Sequence, residues 1–312
     1  MDNIIKLKPV FREKIWGGTK LRTYFGYDIP SETTGECWAI SAHSNGDCEI
    51  ESGEFKGKTL SWLYEKHREL FGNIKNPQFP LLVKLIDAAD DLSIQVHPDD
   101  KYAKEVEGQK FGKTEAWYIV DADEDALLEI GHNTATKEEL ANMIENNKFD
   151  ELLNYQNIKA GDFFYIPSGT VHAICKNTLI YEIQQASDLT YRLFDYKRAD
   201  KKTGKERELH TKKSIDVITV PQKIDTTFTS DVERGEGYKK NVYIKSEYFS
   251  TFKYDVNGKV NLTNDSFLLC TVVEGSGIVE EEKIKKGDNF IISSGYKDVL
   301  ITGNVSIMIS TI

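Results

Sequence analysis

Cysteine is scarce in this chain: Cys37, Cys48, Cys175 and Cys270 are the only four among 312 residues, and no two form a C-x-x-C pair. That is too sparse for a disulfide framework, so the four are read as reduced core thiols. Proline is also rare, at seven residues, and with 39% hydrophobic residues and charge of both signs the composition excludes collagen-like, low-complexity and disordered classes. Long apolar runs are missing. The longest, FPLLVKLI ending at Ile86 and FLLCTVV at 267–273, fall short of the roughly 20 residues that span a bilayer. No membrane contact is expected. Basic residues are outnumbered 40 to 50, and the net charge of −10 disfavours nucleic acid and anionic lipid. Any phosphorylated ligand must therefore meet a local cluster of positive groups. The opening MDNIIKLKPVFREKIWGG is interrupted by charge throughout, unlike a secretory signal, and the expected location is the cytoplasm.

What is present reads mainly as β-structure. Short segments rich in Val, Ile, Tyr and Phe, bounded by Gly, Asn and Asp turns, recur at 81–86, 92–97, 115–120, 126–130, 163–167, 178–184, 267–274, 289–293 and 305–311. Helical periodicity is confined to 59–71, 99–107 and 137–153, which read as decorations on a sheet. The last begins with Thr136 and Glu139, spaced as a capping box. An internal repeat organises the whole: GDFFYIPSGTVH at 161–172 aligns without gaps onto GDNFIISSGYKD at 287–298, implying two related β units built from antiparallel hairpins of a small barrel. The second copy has Asp298 where the first has His172, and no accompanying histidines. The boundary is expected within 221–240, where apolar periodicity lapses. The basic run KKTGKERELHTKK at 201–213, with interleaved glutamates and no aromatic platform, reads as a solvated loop leading into a helix near 213–219.

Of six histidines, His97 and His172 sit at strand edges beside other donors. Gln95 and His97 are two apart on a strand and project to one face, as do Lys113, Glu115 and Trp117. If those faces line an interior, Gln95, His97, Glu115 and His172 converge as two imidazoles, a carboxylate and an amide oxygen. That set suits a divalent cation with an open position, and donor type alone allows zinc, manganese, iron or cobalt. His43, His67, His132 and His210 lack ligand spacing and read as ordinary core or surface residues.

The runs FPLLVKLIDAADDLSIQVHPDD, GKTEAWYIV, IPSGTVHAI and SDLTYRLFDY, with KPVFREKIWGG and GECWAIS ahead of them, together resemble the type I mannose-6-phosphate isomerases, in their compact bacterial branch. The resemblance runs from the start to about residue 218. It implies two cupin-type (jelly-roll) β-barrels with a few decorating helices: a catalytic metal-binding cupin with helical insertions over 1–230, and a degenerate cupin without ligands over 231–312. It implies one zinc ion per chain on Gln95, His97, Glu115 and His172, the same four residues that spacing singled out. It carries the active-site arginine onto Arg192, acidic catalytic positions onto Glu182 and Asp188, and pocket lysines onto Lys84 and Lys113.

The implied substrate is a phosphorylated hexose, mannose 6-phosphate, interconverted with fructose 6-phosphate through an enediol. Asp188 and Glu182 are the candidate bases, Arg192 a permanent positive fork, and Lys84 and Lys113 the local field for a phosphate. The competing readings are another metal-dependent cupin, such as an iron or manganese oxygenase, and a noncatalytic sugar-binding module. The Gln95 position and the Lys113 to Glu115 spacing favour the isomerase.

Overall fold

The structure is a computed structural model that describes residues 3–200, 203–222, 230–263 and 265–312. The expected boundary at 221–240 and the basic run at 201–213 thus fall partly outside the described residues. The chain is mainly β. Six strands form one antiparallel sheet in the order Phe163–Ile166, Glu115–Ala122, Thr178–Gln185, Leu81–Ala88, Thr34–Ile40 and Val10–Gly18. Five more form a second sheet in the order Leu153–Asn157, Leu127–His132, His172–Ile174, Ile94–Val96 and Tyr191–Phe194. The two sheets enclose an apolar layer containing Trp16, Ile86, Trp117, Ile119, Leu128, Ile130, Ile174 and Ile180.

The other face of the six-stranded sheet is covered as well. Cys37, Val83, Leu85, Tyr118, Tyr181 and Ile183 pack against Leu60 and Leu63 of the helix Leu60–Lys66 and against Phe249, Phe267, Leu269, Ile291 and Met308 of the C-terminal part. Burial on both faces removes the apolar/polar alternation of a half-solvated strand. Leu81–Ala88 and Thr178–Gln185 are accordingly buried at every position, and the few polar residues they carry, Lys84 and Glu182 among them, must find partners inside the protein.

The C-terminal part folds as a third sheet, whose strands Ser250–Leu262, Val299–Thr311, Leu268–Val279 and Asn289–Ile292 wrap a core of Val256, Leu268, Cys270, Val272, Phe290 and Ile307. Ile4–Lys8 joins this sheet, pairing Ile4 with Ile292 and Lys6 with Phe290, so the start of the chain is hydrogen-bonded into its end.

The repeat is structural down to individual bonds. In the first copy Asp162 Oδ2 accepts from Lys159 N, Gly161 N donates to Ile119 O, and Ile119 N donates to Asp162 O; in the second, Asp288, Lys285, Gly287 and Val272 reproduce all three. Gly161 and Gly287 adopt φ of 96° and 92°, a region that favours glycine. The equivalence of Ile119 with Val272 sets Leu268 opposite Ile292, where the first copy has Glu115 opposite Ile166. The second unit thus has leucine and aspartate at the positions of Glu115 and His172.

Helices are shorter than the periodicity suggested. The 59–71 segment breaks at His67 into Leu60–Lys66 and the 3-10 turn Arg68–Phe71. The 99–107 helix is Asp100–Glu107, capped by Asp99 and closed by Gly108 in the left-handed region. The 137–153 segment ends its first helix at Glu145, because Asn147 turns left-handed at φ 53°, and residues from Leu153 onward are strand. Thr136 caps Glu139 N as expected, but the carboxylate of Glu139 accepts from Ala135 N, one residue before the anticipated partner.

Candidate metal centre and cavity

The site lies between the two facing sheets. From the five-stranded sheet, His172 and Arg192 both stand opposite Gln95 in register, and His97 follows one residue after the strand Ile94–Val96. Pro98 then ends the strand, and the chain turns into the helix capped by Asp99. The segment carrying Lys113 and Glu115 is drawn against this corner by the bond from Lys113 N to Pro98 O, 2.9 Å. Gly112 makes the approach feasible: a Cβ there would lie 2.3 Å from the carbonyl carbon of Asp99. Tight chain packing, rather than strand periodicity alone, therefore brings Glu115 to His97.

Single donor atoms of His97, Glu115 and His172 all lie within 4.8 Å of one another, and all three residues are buried. Glu115 Oε1 is 3.3 Å from His172 Nε2, and Glu115 Oε2 is 3.7 Å from His97 Nε2. Each imidazole points its Nδ1 at a backbone carbonyl, Leu189 O at 2.8 Å and Thr170 O at 2.9 Å. A carbonyl can only accept, so both Nδ1 atoms carry the proton and both Nε2 lone pairs face inward, the orientation that metal-binding histidines require. His172 Nε2 is buried without a hydrogen bond of its own. Burial, reinforced by the Lys113 charge, pushes the His172 pKa down to about 4 and that of His97 well below its ordinary value, so both imidazoles are neutral. Burial raises Glu115 to about 7, with Lys113 opposing. The donors present fit a divalent cation.

Around this triad the cavity is densely charged. Lys113 Nζ lies 2.7 Å from Glu115 Oε2 and 3.1 Å from His97 Nε2. Lys84 Nζ lies 3.1 Å from Glu182 Oε1, and Glu182 Oε2 accepts from Trp117 Nε1 at 3.0 Å. Burial alone would raise Glu182 and lower Lys84, but their mutual attraction prevails, holding Glu182 below and Lys84 above their usual ranges. Arg192 donates through Nη1 to Glu208 O at 2.8 Å, while its buried Nε has no hydrogen-bond partner. Asp188 is exposed at the rim, where it accepts from Asn45 Nδ2 at 3.1 Å.

The cavity thus gathers Gln95, Glu115, Lys84, Lys113, Glu182, Asp188 and Arg192 along its wall, with His97 and His172 packed beside Glu115. It also holds residues that motif reading passed over: Lys14, Glu36, Thr190 and Arg207. Glu36 is buried in the GECWAIS run, whose sequence offered no signal of an ion pair. Arg207 corrects the solvated-loop reading of 201–213: it is half-buried and grips Asp195 with Nε at 2.7 Å and Nη2 at 2.5 Å, although most described neighbours in that run are exposed. The remaining histidines serve locally, as read. His210 Nδ1 accepts from Arg192 N at 3.1 Å, and His132 bonds Thr219 O at 2.9 Å.

Residues 4–148 match the family model described as phosphomannose isomerase type I, catalytic domain, and residues 239–312 match that of the mannose-6-phosphate isomerase cupin domain. Among curated relatives, the mannose-6-phosphate isomerase ManA of Bacillus subtilis is 49% identical over 308 residues, 97% of each chain. A Streptococcus mutans mannose-6-phosphate isomerase is 46% identical over 309 residues, 97% of this chain and 96% of that one. A crystal structure of the mannose 6-phosphate isomerase from Bacillus subtilis superposes with a TM-score of 0.97 at 47% identity, covering 100% of both chains. Phosphomannose isomerase variants from Salmonella typhimurium share the fold, with a TM-score of 0.80 at 15% identity over 99% of both chains. With relatives this similar over nearly their whole length, the chain belongs to the type I mannose-6-phosphate isomerase family.

Proposed function

We propose that the protein is a zinc-dependent aldose-ketose isomerase that interconverts mannose 6-phosphate and fructose 6-phosphate through an enediol. The observation that carries this reading is the convergence of His97, Glu115 and His172 on a cavity whose lysines and arginines could receive a phosphate. One zinc ion per chain would be held by these three residues and Gln95. When bound, it supplies a positive charge that polarises the sugar carbonyl and stabilises the enediolate.

The chain's own groups do the rest. Five cationic residues (Lys14, Lys84, Lys113, Arg192 and Arg207) and four acidic ones (Glu36, Glu115, Glu182 and Asp188) line the cavity, so it carries surplus positive charge on an acidic chain. Arg192, with an unpartnered buried Nε, offers a fork for an anionic oxygen. Lys113 and Lys84 orient the substrate. Glu182 is enclosed by Lys84 and Trp117 and suits holding the lysine in place. The proton transfer between C1 and C2 then falls to Asp188, the carboxylate at the solvent-facing rim.

An iron or manganese oxygenase would use a similar triad, but the family relationship and the cationic wall favour the isomerase. We assign residues 1–230 to the catalytic cupin barrel, with Ile4–Lys8 lending a strand to the C-terminal sheet, and 231–312 to a degenerate barrel without ligands, supported by Leu268 and Asp298 at the equivalent positions. A cytoplasmic location is supported by four cysteines that are all free thiols. The test is a coupled assay of fructose 6-phosphate formation from mannose 6-phosphate. Activity should vanish with a chelator and return with zinc, and inactivity of the zinc-loaded protein refutes the reading.

A further inference from the structure

The cavity wall contains a construction with no counterpart in the metal triad. Lys14, Glu36, Lys84 and Glu182 lie on four successive strands of the six-stranded sheet, Val10–Gly18, Thr34–Ile40, Leu81–Ala88 and Thr178–Gln185, so charge alternates across the sheet. The two carboxylates are held in the same manner. Glu182 takes Trp117 Nε1 at 3.0 Å and Lys84 at 3.1 Å; Glu36 takes Trp38 Nε1 at 2.8 Å and Lys14 at 3.1 Å. Trp38 stands opposite Lys84 in register, with the Lys84 ammonium 5.5 Å from the centre of its ring. Glu36, Lys84 and Glu182 are 8%, 4% and 2% exposed.

Burying such a row is an expensive way to gain stability, since apolar residues of similar volume serve as well or better. One carboxylate would suffice to neutralise Lys84. Lys84 is paired with Glu182 at 3.1 Å, while Glu36 is paired with Lys14; the other flank of Lys84 is the Trp38 ring, which Glu36 holds through the indole Nε1.

We propose that Glu36 is a positioning residue for the isomerase reaction: bonded to the Trp38 indole and paired with Lys14, it fixes the ring that flanks Lys84 opposite Glu182 and so keeps that ammonium aimed at the sugar oxygens on which charge develops. The proposal rests on the isomerase reading. It predicts an unusual kinetic pattern, because Glu36 is itself a negative charge beside the cavity of an anionic substrate. Removing it weakens the aim of Lys84 while making ground-state binding of the anion more favourable.

The test is Glu36→Gln, compared with wild type as zinc-loaded protein of equal metal content. We expect kcat to fall about tenfold while KM stays level or falls, a split that general loosening of the fold would not produce. Titration calorimetry with mannose 6-phosphate should give binding at least as tight as wild type. Glu36→Asp should recover part of kcat, and Trp38→Phe, which removes the indole donor and shrinks the ring beside Lys84, should lower kcat severalfold. These two variants decide the matter if Glu36→Gln does not fold. A kcat within twofold of wild type in the folded variants, or a fall in kcat accompanied by a matching rise in KM, overturns the proposal. If wild type shows no turnover the isomerase reading fails by itself, and the calorimetric comparison still judges Glu36: weaker binding by Glu36→Gln counts against it.

Discussion

Replacing Lys84 by Met should destabilise the protein in a pH-dependent way that reports on its buried neighbour. Lys84 and Glu182 are 4% and 2% exposed and 3.1 Å apart. Removing one partner of such a pair leaves an uncompensated buried charge, which costs about 3–5 kcal/mol. The sign follows from the shifts. In the wild type Glu182 is held below its ordinary range, so its contribution is complete above the unfolded carboxylate pKa and is lost only as pH falls through its depressed folded value. Lys84 is raised, and its contribution is complete below the unfolded lysine pKa. With the ammonium gone, burial becomes the dominant influence on Glu182 and its pKa rises. Folding of the variant then takes up a proton, at about 1.4 kcal/mol per unit of rise when the pH lies above it. The deficit should therefore be largest near pH 8 and shrink toward pH 5.5. Urea unfolding midpoints of the metal-loaded proteins at the two pH values measure this. The double variant Lys84→Met with Glu182→Gln, which removes both charges, should recover much of the loss. A deficit equal at both pH values, or a double variant no better than the single, would refute the buried-pair argument.

Other perturbations separate the parts of the site. His172→Ala should abolish metal binding, measured by metal analysis after dialysis, and the melting temperature should no longer rise on adding zinc. Arg192→Ala should lower turnover by about 10²-fold, the scale of losing a charged group aimed at the developing negative charge, with bound metal unchanged. Leu268→Glu sets a carboxyl at the second-unit equivalent of Glu115 without the imidazoles or lysine that accompany it. It should cost about 3 kcal/mol in urea unfolding and confer no second metal, because an unpaired buried carboxyl is disfavoured whatever the backbone around it.

Much of this was legible from residue order because the signals are local. A Gly-Asp turn repeated 126 residues apart (161 to 287) announces two units, since glycine takes the required φ readily and the aspartate carboxylate closes the turn back on its own backbone. Gln95 and His97 sit two apart by strand geometry. The helix ends were misjudged because periodicity continues across Asn147, where the backbone turns left-handed. Glu36, Lys14 and Arg207 carried no signal, since each is an ordinary charged residue whose burial depends on segments far away in the chain.

Val10–Gly18, Thr34–Ile40, Tyr238–Lys245 and Ser250–Leu262 are strands that the order of residues did not announce. It determined by itself that nine segments between 81–86 and 305–311 contain strands, that the β unit occurs twice, and that one copy has ligand types the other lacks. Those properties follow from side-chain alternation, turn chemistry and donor identity, all of which act over a few residues. Only the tertiary structure decided that Glu115 reaches His97 and His172, that Glu182 is bound to Lys84 and Trp117, and that charge alternates from Lys14 to Glu182 across the cavity wall. Electrostatic attraction depends on distance in space and on the exclusion of water, and both are set when the two sheets close on one another.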